Sequence, residues 1–196
     1  MSGLSDRDRR LVRLFAAIVL GRWDEVERLR RAAPPGEPDR AWRETVLQVH
    51  VFAGFPRAVE AYAVLAAAGG LGKLDDDEVR NEPDKAERGL ALFERIYEPH
   101  ADAVRRILRN GHPDFESWIL GHAYGRLLSR PGLSPDRREL LAVAALTVLG
   151  QERQLASHAR GSLRCGATRK ELLGVLEAIE DLAEPKHLDH ARAIIG

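Results

Sequence analysis

Residues 134–168 read SPDRRELLAVAALTVLGQERQLASHARGSLRCGAT, and this stretch decides the fold. Leu140, Leu141, Ala144, Ala145 and Val148 recur at helical intervals. Ser134-Pro135-Asp136 ahead of them is a strong helix opening, because serine can accept a free amide hydrogen and proline is pre-shaped for the first turn. Leu149-Gly150 closes that helix, and a second, polar helix runs from Gln151 to Arg164 with Gly166 as its C-terminal cap. Thr168-Arg169-Lys170-Glu171 has the spacing of a capping box opening a third.

The same signals divide the rest of the chain. Leu11, Leu14, Phe15, Ile18 and Val19 predict a first helix from Ser5 or Asp6 to Gly21, and Trp23 to Ala33 a second. Pro34, Pro35, Gly36 and Pro38 then break the chain. A third helix spans Asp39 to Ala53, turned by Gly54-Phe55-Pro56 into a fourth that ends near Ala68. Residues 73–88 carry seven acidic side chains against Lys73, Arg80, Lys85 and Arg88, which predicts a solvated connector. Leu90 to Asn110 is helical with a break at Pro99. The next helix carries Trp118, His122 and Tyr124 and stops at Arg130-Pro131-Gly132. A last helix runs from Pro185 to Ile195. No run shows sustained period-two alternation, so the chain reads as all-α.

Composition narrows the function classes. Thirty basic residues balance thirty acidic ones among 196, which argues against a polycation built for nucleic acid. One cysteine excludes an intramolecular disulfide and a CxxC pair. No apolar run approaches the roughly 20 residues of a membrane helix, and the charged N-terminus lacks a signal-peptide core, so the expected address is the cytoplasm. His187 and His190, one turn apart, have only Asp189 and Glu184 nearby and make a poor metal site.

The chain also repeats itself weakly. Arg9 to Gly21 can be laid on Arg138 to Gly150 without gaps, and Glu44-Thr45-Val46-Leu47 resembles Glu171-Leu172-Leu173-Gly174. The expected organisation is a degenerate N-terminal repeat (1–72), a polar connector (73–88) and a C-terminal module (89–196).

Chemistry concentrates in the C-terminal module. Gln151, Gln154 and His158 fall at i, i+3 and i+7, on one face of one helix. Glu139 lies on the preceding helix, and the turn at Gly150 can bring it to His158. A carboxylate beside an imidazole orients the ring and raises its pKa, which suits proton transfer. The same pair also fits a polar tie between two helices. Between Arg126 and Lys170 nine basic residues face Asp136, Glu139 and Glu152, so Arg130, Arg153, Arg160 or Arg164 could present a fork to a substrate carboxylate. Trp118, His122 and Tyr124 are candidates to line a pocket or close the core. His50 sits beside the Val51-to-Pro56 turn and could face the same site.

Three segments, ERGLALFERIY (87–97), HPDFESWILGHAYGRLLSRPGL (112–133) and RRELLAVAALTVLGQERQLASHARGSLRCGAT (137–168), in that order resemble the carboxymuconolactone decarboxylase family of the AhpD-like superfamily. ETVLQVHVFAGFPRAVEAY (44–62) resembles the closing segment of the same module. The resemblance implies an AhpD-like helical bundle built from two tandem modules. The superfamily's peroxidase branch has a Glu, a long gap, CxxC and a His four residues on. Glu139 and His158 match, whereas Gln151 and Gln154 stand at the cysteines, so thiol peroxidase chemistry is disfavoured. The first copy has Arg10 and Leu29 at the Glu and His positions, which leaves one site per chain.

The resemblance further implies decarboxylation of a small anionic lactone without a cofactor, with His158 as proton donor and Glu139 as its partner. Gln151, Gln154, Arg130, Trp118, His122 and His50 are the expected substrate contacts. A symmetric homo-oligomer, trimer or dimer, is expected from the same source. The competing reading is an oligomeric scaffold or binding protein that keeps the fold without the chemistry.

Overall fold

The computed structural model of the chain describes residues 3–79 and 83–196, and every regular element in them is helical. α1 (Asp6–Leu20) and α2 (Trp23–Arg31) form a hairpin, followed by α3 (Asp39–Ala67). Then come α4 (Lys85–Tyr97), α5 (Ala101–Gly111) and α6 (Pro113–Trp118), which passes directly into a π-helical segment (Ile119–Leu128). α7 (Pro135–Val148), α8 (Glu152–Cys165), α9 (Arg169–Ala178) and α10 (Pro185–Ile195) complete the chain. No described helix is long and apolar enough to cross a membrane.

Every residue of α7 from Arg138 to Val148 is buried, so this helix occupies the centre rather than presenting one stripe. It packs against α1, α3, α8, α9 and α10 around one large apolar core. A smaller core of Leu92, Phe93, Ile96, Ala123, Tyr124 and Leu128 joins α4 to the π-helical segment, and α4 leans on α8. The two cores meet along α8.

Both hairpins close with the same turn. Gly21 and Gly150 have φ of 71° and 65°. Arg22 (φ −83°, ψ 72°) and Gln151 (φ −90°, ψ 70°) follow them. The Arg22 amide donates to the Ala17 carbonyl at 2.8 Å and the Gln151 amide to the Leu146 carbonyl at 2.9 Å. The capping box is formed as expected: Thr168 Oγ1 accepts from the Glu171 amide, and the Glu171 carboxylate accepts from the Thr168 amide. Ser134 holds the N-cap position of α7 without a side-chain cap bond.

The expected third and fourth helices are one bent element. Gly54 interrupts α3 with φ 80° and ψ 164°, a conformation open essentially to glycine. Replacing Gly54 with alanine is expected to cost about 1–3 kcal/mol in denaturant unfolding, because the bend must be held in a strained conformation or lost.

The connector differs from expectation in two respects. Glu78 is buried, and Arg43 Nε donates to it at 2.9 Å while a second guanidinium nitrogen donates to its other oxygen. Arg40 Nη1 donates to Asp77 at 2.8 Å. An acidic run reads as solvated until arginines from another helix reach it; here α3 supplies them. α4 begins at Lys85, inside the expected connector, and Arg80 lies outside the described residues.

Candidate functional site

α7 and α8 run antiparallel across the Gly150 turn, which brings Glu139 near the start of α7 beside His158 in the middle of α8. His158 Nδ1 lies 2.8 Å from Glu139 Oε2. A carboxylate can only accept, so Nδ1 carries the proton and Nε2 is the nitrogen available to a guest. Both residues are buried, at 7% and 1% exposure. The close approach needs Gly161 on α8: a Cβ there would stand 3.0 Å from Glu139 Oε2 and 2.7 Å from Ile96.

Burial alone would lower the His158 pKa, but the charge and hydrogen bond of Glu139 more than reverse it, and the net direction is upward from 6.5. The folded state therefore favours the imidazolium. Its contribution to stability is complete below pH 6.5 and fades as pH rises through the higher folded value. The stability gap between the wild type and Glu139→Gln is expected to narrow across that alkaline window, as pH-dependent urea unfolding would show.

His158 opens onto a cavity of about 560 Å³ in the seam between the two cores. Val51 and Phe52 from α3, Phe93 and Tyr97 from α4, and Val104 and Leu108 from α5 form apolar walls. Phe115, Ile119, Ala123, Tyr124 and Leu128 add another. The π-helical winding takes an extra residue per turn, and this sets Ile119, Ala123, Tyr124 and Leu128 on a common face. Gln151 and Gln154 join His158 on the wall and are exposed. The Phe52 and Tyr97 rings lie edge-on to the His158 ring, with centroids 6.1 and 6.3 Å away.

Of the residues singled out by sequence, the structure unites Glu139 and His158 and puts Gln151 and Gln154 beside them. Arg130 stands elsewhere: its Nε donates to Glu44 at 3.0 Å and its Nη2 to the Glu78 carbonyl at 3.1 Å, so its fork is already occupied. No arginine or lysine lines the cavity among the described residues. Trp118 is 65% exposed and off the wall, because the π-helical turns carry its neighbours there instead.

His50 and His122 meet each other, Nε2 to Nε2 at 2.7 Å, adjacent in sequence to the wall residues Val51 and Ala123. Cys165 is half-buried, and burial pushes its thiol up to about 11, which disfavours a reactive thiolate. His190 faces Glu152 at 3.4 Å on the surface, and no group of three or more metal-ligating side chains occurs among the described residues. Sequence reasoning did not single out Phe52, Phe93 and Tyr97. Their elements are distant in sequence, and nothing in their local spacing marks them.

Residues 113–195, which include Glu139, Gln151, Gln154 and His158, match the carboxymuconolactone decarboxylase family. The chain is 33% identical over 93 residues to the 4-carboxymuconolactone decarboxylase of Acinetobacter baylyi, covering 47% of this chain and 69% of that protein. It is 27% identical over 136 residues to peroxisomal protein 2 of Schizosaccharomyces pombe, and 26% over 170 to that of Saccharomyces cerevisiae. Those alignments cover 67% and 72% of this chain but only 63% and 59% of the two relatives. The duplicated organisation is not part of what these matches establish. Both the family match and the bacterial relative point the same way: the chain belongs to the carboxymuconolactone decarboxylase family.

Proposed function

We propose that the chain is a carboxy-lyase acting without a cofactor on a small organic acid, with His158 moving the proton and Glu139 holding and charging its ring. One observation carries this reading: His158, bonded to the buried Glu139 at 2.8 Å, sits in the wall of a mainly apolar cavity. Loss of carbon dioxide needs a place for the electron pair left on carbon and a proton to quench it. The imidazolium supplies that proton. It is also the cavity's cation, so an acid with one carboxylate fits better than the arginine-clamped anion that the sequence suggests. The name of the bacterial relative supports the reaction class. The shared turn at Gly21 and Gly150 supports an origin by duplication.

A panel of lactone and keto acids incubated in D₂O tests this by NMR. The expected product has lost carbon dioxide and gained one deuteron on the carbon that carried it. An intact panel, with the acids shown to occupy the cavity, would contradict it.

The scaffold reading rests on the outer surface. Phe55, Ile107 and Trp118 are 65%, 64% and 65% exposed. Exposed apolar side chains of this kind suit subunit contacts. A dimer or trimer is expected by size-exclusion chromatography with light scattering; a clean monomer would contradict assembly. The names of the two fungal relatives make a peroxisomal address the competitor to the cytoplasmic one.

A further inference from the structure

We propose that Tyr97, oriented by Tyr124, is the cavity's hydrogen-bond donor to a carbonyl oxygen of the guest. The site then takes a mainly apolar molecule bearing one ketone, ester or lactone oxygen. The two phenol oxygens lie 3.3 Å apart, and both residues line the cavity that His158 opens onto. Tyr124 is 3% exposed and embedded among Phe93, Leu128 and their neighbours. Its hydroxyl hydrogen has one polar destination among the hydrogen bonds described, the Tyr97 oxygen. Were the bond reversed, the Tyr124 hydrogen would be stranded in apolar surroundings, an unpaired buried donor. Tyr124 therefore donates, Tyr97 accepts, and the Tyr97 hydrogen is left over.

That hydrogen belongs to a half-buried residue on the wall, beside the His158 ring. Burial raises the Tyr97 pKa, the bond from Tyr124 lowers it and the Glu139 charge raises it, with a net upward shift. Burial also holds the Tyr124 phenol well above its ordinary value. Both phenols thus stay protonated and able to donate at neutral pH. A preorganised donor in a mostly apolar cavity acts most strongly on an oxygen that gains negative charge.

The place of this donor in a reaction rests on the proposed decarboxylation. The bond from carbon to the carboxylate breaks and carbon dioxide leaves. The electron pair passes into an enolate whose oxygen accepts from Tyr97. His158 Nε2 then delivers its proton to carbon, and solvent restores it. Tyr97 touches the reacting oxygen in this scheme, and Tyr124 positions it.

Binding of 2-acetylnaphthalene and of naphthalene, with the infrared carbonyl stretch of the bound ketone, tests the assignment without any turnover. Tyr97→Phe is expected to weaken the ketone roughly 10-fold, the value of one such bond, and to leave naphthalene unchanged. The carbonyl stretch, lowered in the wild type, should return in Tyr97→Phe to its position in an apolar solvent. Tyr124→Phe, which keeps the Tyr97 hydroxyl, should give an intermediate stretch; an unshifted stretch would overturn the role given to Tyr124.

Equal loss for both probes, a stretch indifferent to Tyr97→Phe, or a wild-type protein that binds the ketone no better than the hydrocarbon would overturn the proposal. If turnover follows Glu139 and His158 while the stretch ignores Tyr97, this inference alone falls. If the stretch follows Tyr97 while no acid is turned over, this inference stands and the decarboxylase reading falls.

Discussion

Replacing His158 with glutamine is expected to lower kcat by roughly 10²–10⁴-fold on any acid the protein decarboxylates, with KM changing only a few-fold. Glutamine fills similar space and its amide can still donate to Glu139, so the hairpin stays closed. What it cannot do is release and recover a proton near neutral pH. Glu139→Gln should lower kcat less, since the imidazole remains but loses the charge that favours its protonated form. Both effects must appear in a protein whose folded fraction at the assay temperature is unchanged. If activity persists while unfolding shifts, the pair is a tie between α7 and α8 and nothing more.

The largest effect on stability is expected one residue away from the chemistry. Arg138 and Glu44 are 1% and 0% exposed, joined at 2.7 Å, with Gln48 donating to the Arg138 carbonyl at 2.8 Å. Arg138 also reaches the carbonyls of Arg130 and Pro131, so it binds α7 to α3 and to the turn before α7. Arg138→Met leaves the Glu44 carboxylate buried with Arg130 as its remaining partner. A cost of about 3 kcal/mol follows, because Arg130, which is part-exposed, compensates the buried carboxylate only in part. Thermal unfolding should fall by on the order of 10 °C. Adding Glu44→Leu should restore much of the loss, since it removes the under-compensated carboxylate while the part-exposed Arg130 keeps its bond to the Glu78 carbonyl.

These two clusters show what the sequence reveals and what it hides. Helix limits were legible wherever glycine or proline stops a helix for a local reason, as at Gly21, Gly150 and Gly166, and the bend at Gly54 was legible for the same reason. Glu139 and His158 were legible because one short turn fixes the geometry between them. Arg130 was misread because a count of charges does not show that Glu44, 86 residues away, already holds it. Trp118 was misplaced because nothing in its local sequence shows that α6 ends at it and that the π-helical turns beyond carry Ile119 and Ala123 to the wall instead. Tyr97 and Phe52 gave no signal, since their meeting with His158 is created by packing α3 and α4 against α8. Glu78 was assigned to solvent for the same reason: its partner lies on another helix.

The account depends on an imidazole that Glu139 charges and that faces a guest. NMR titration of His158 in the wild type and in Glu139→Gln measures both properties. The wild-type pKa should lie above 6.5, and that of the variant below it, because burial then acts unopposed. The His158 signals should also move when 2-acetylnaphthalene enters the cavity. Equal titration in the two proteins, or signals that ignore the guest, would contradict the central claim.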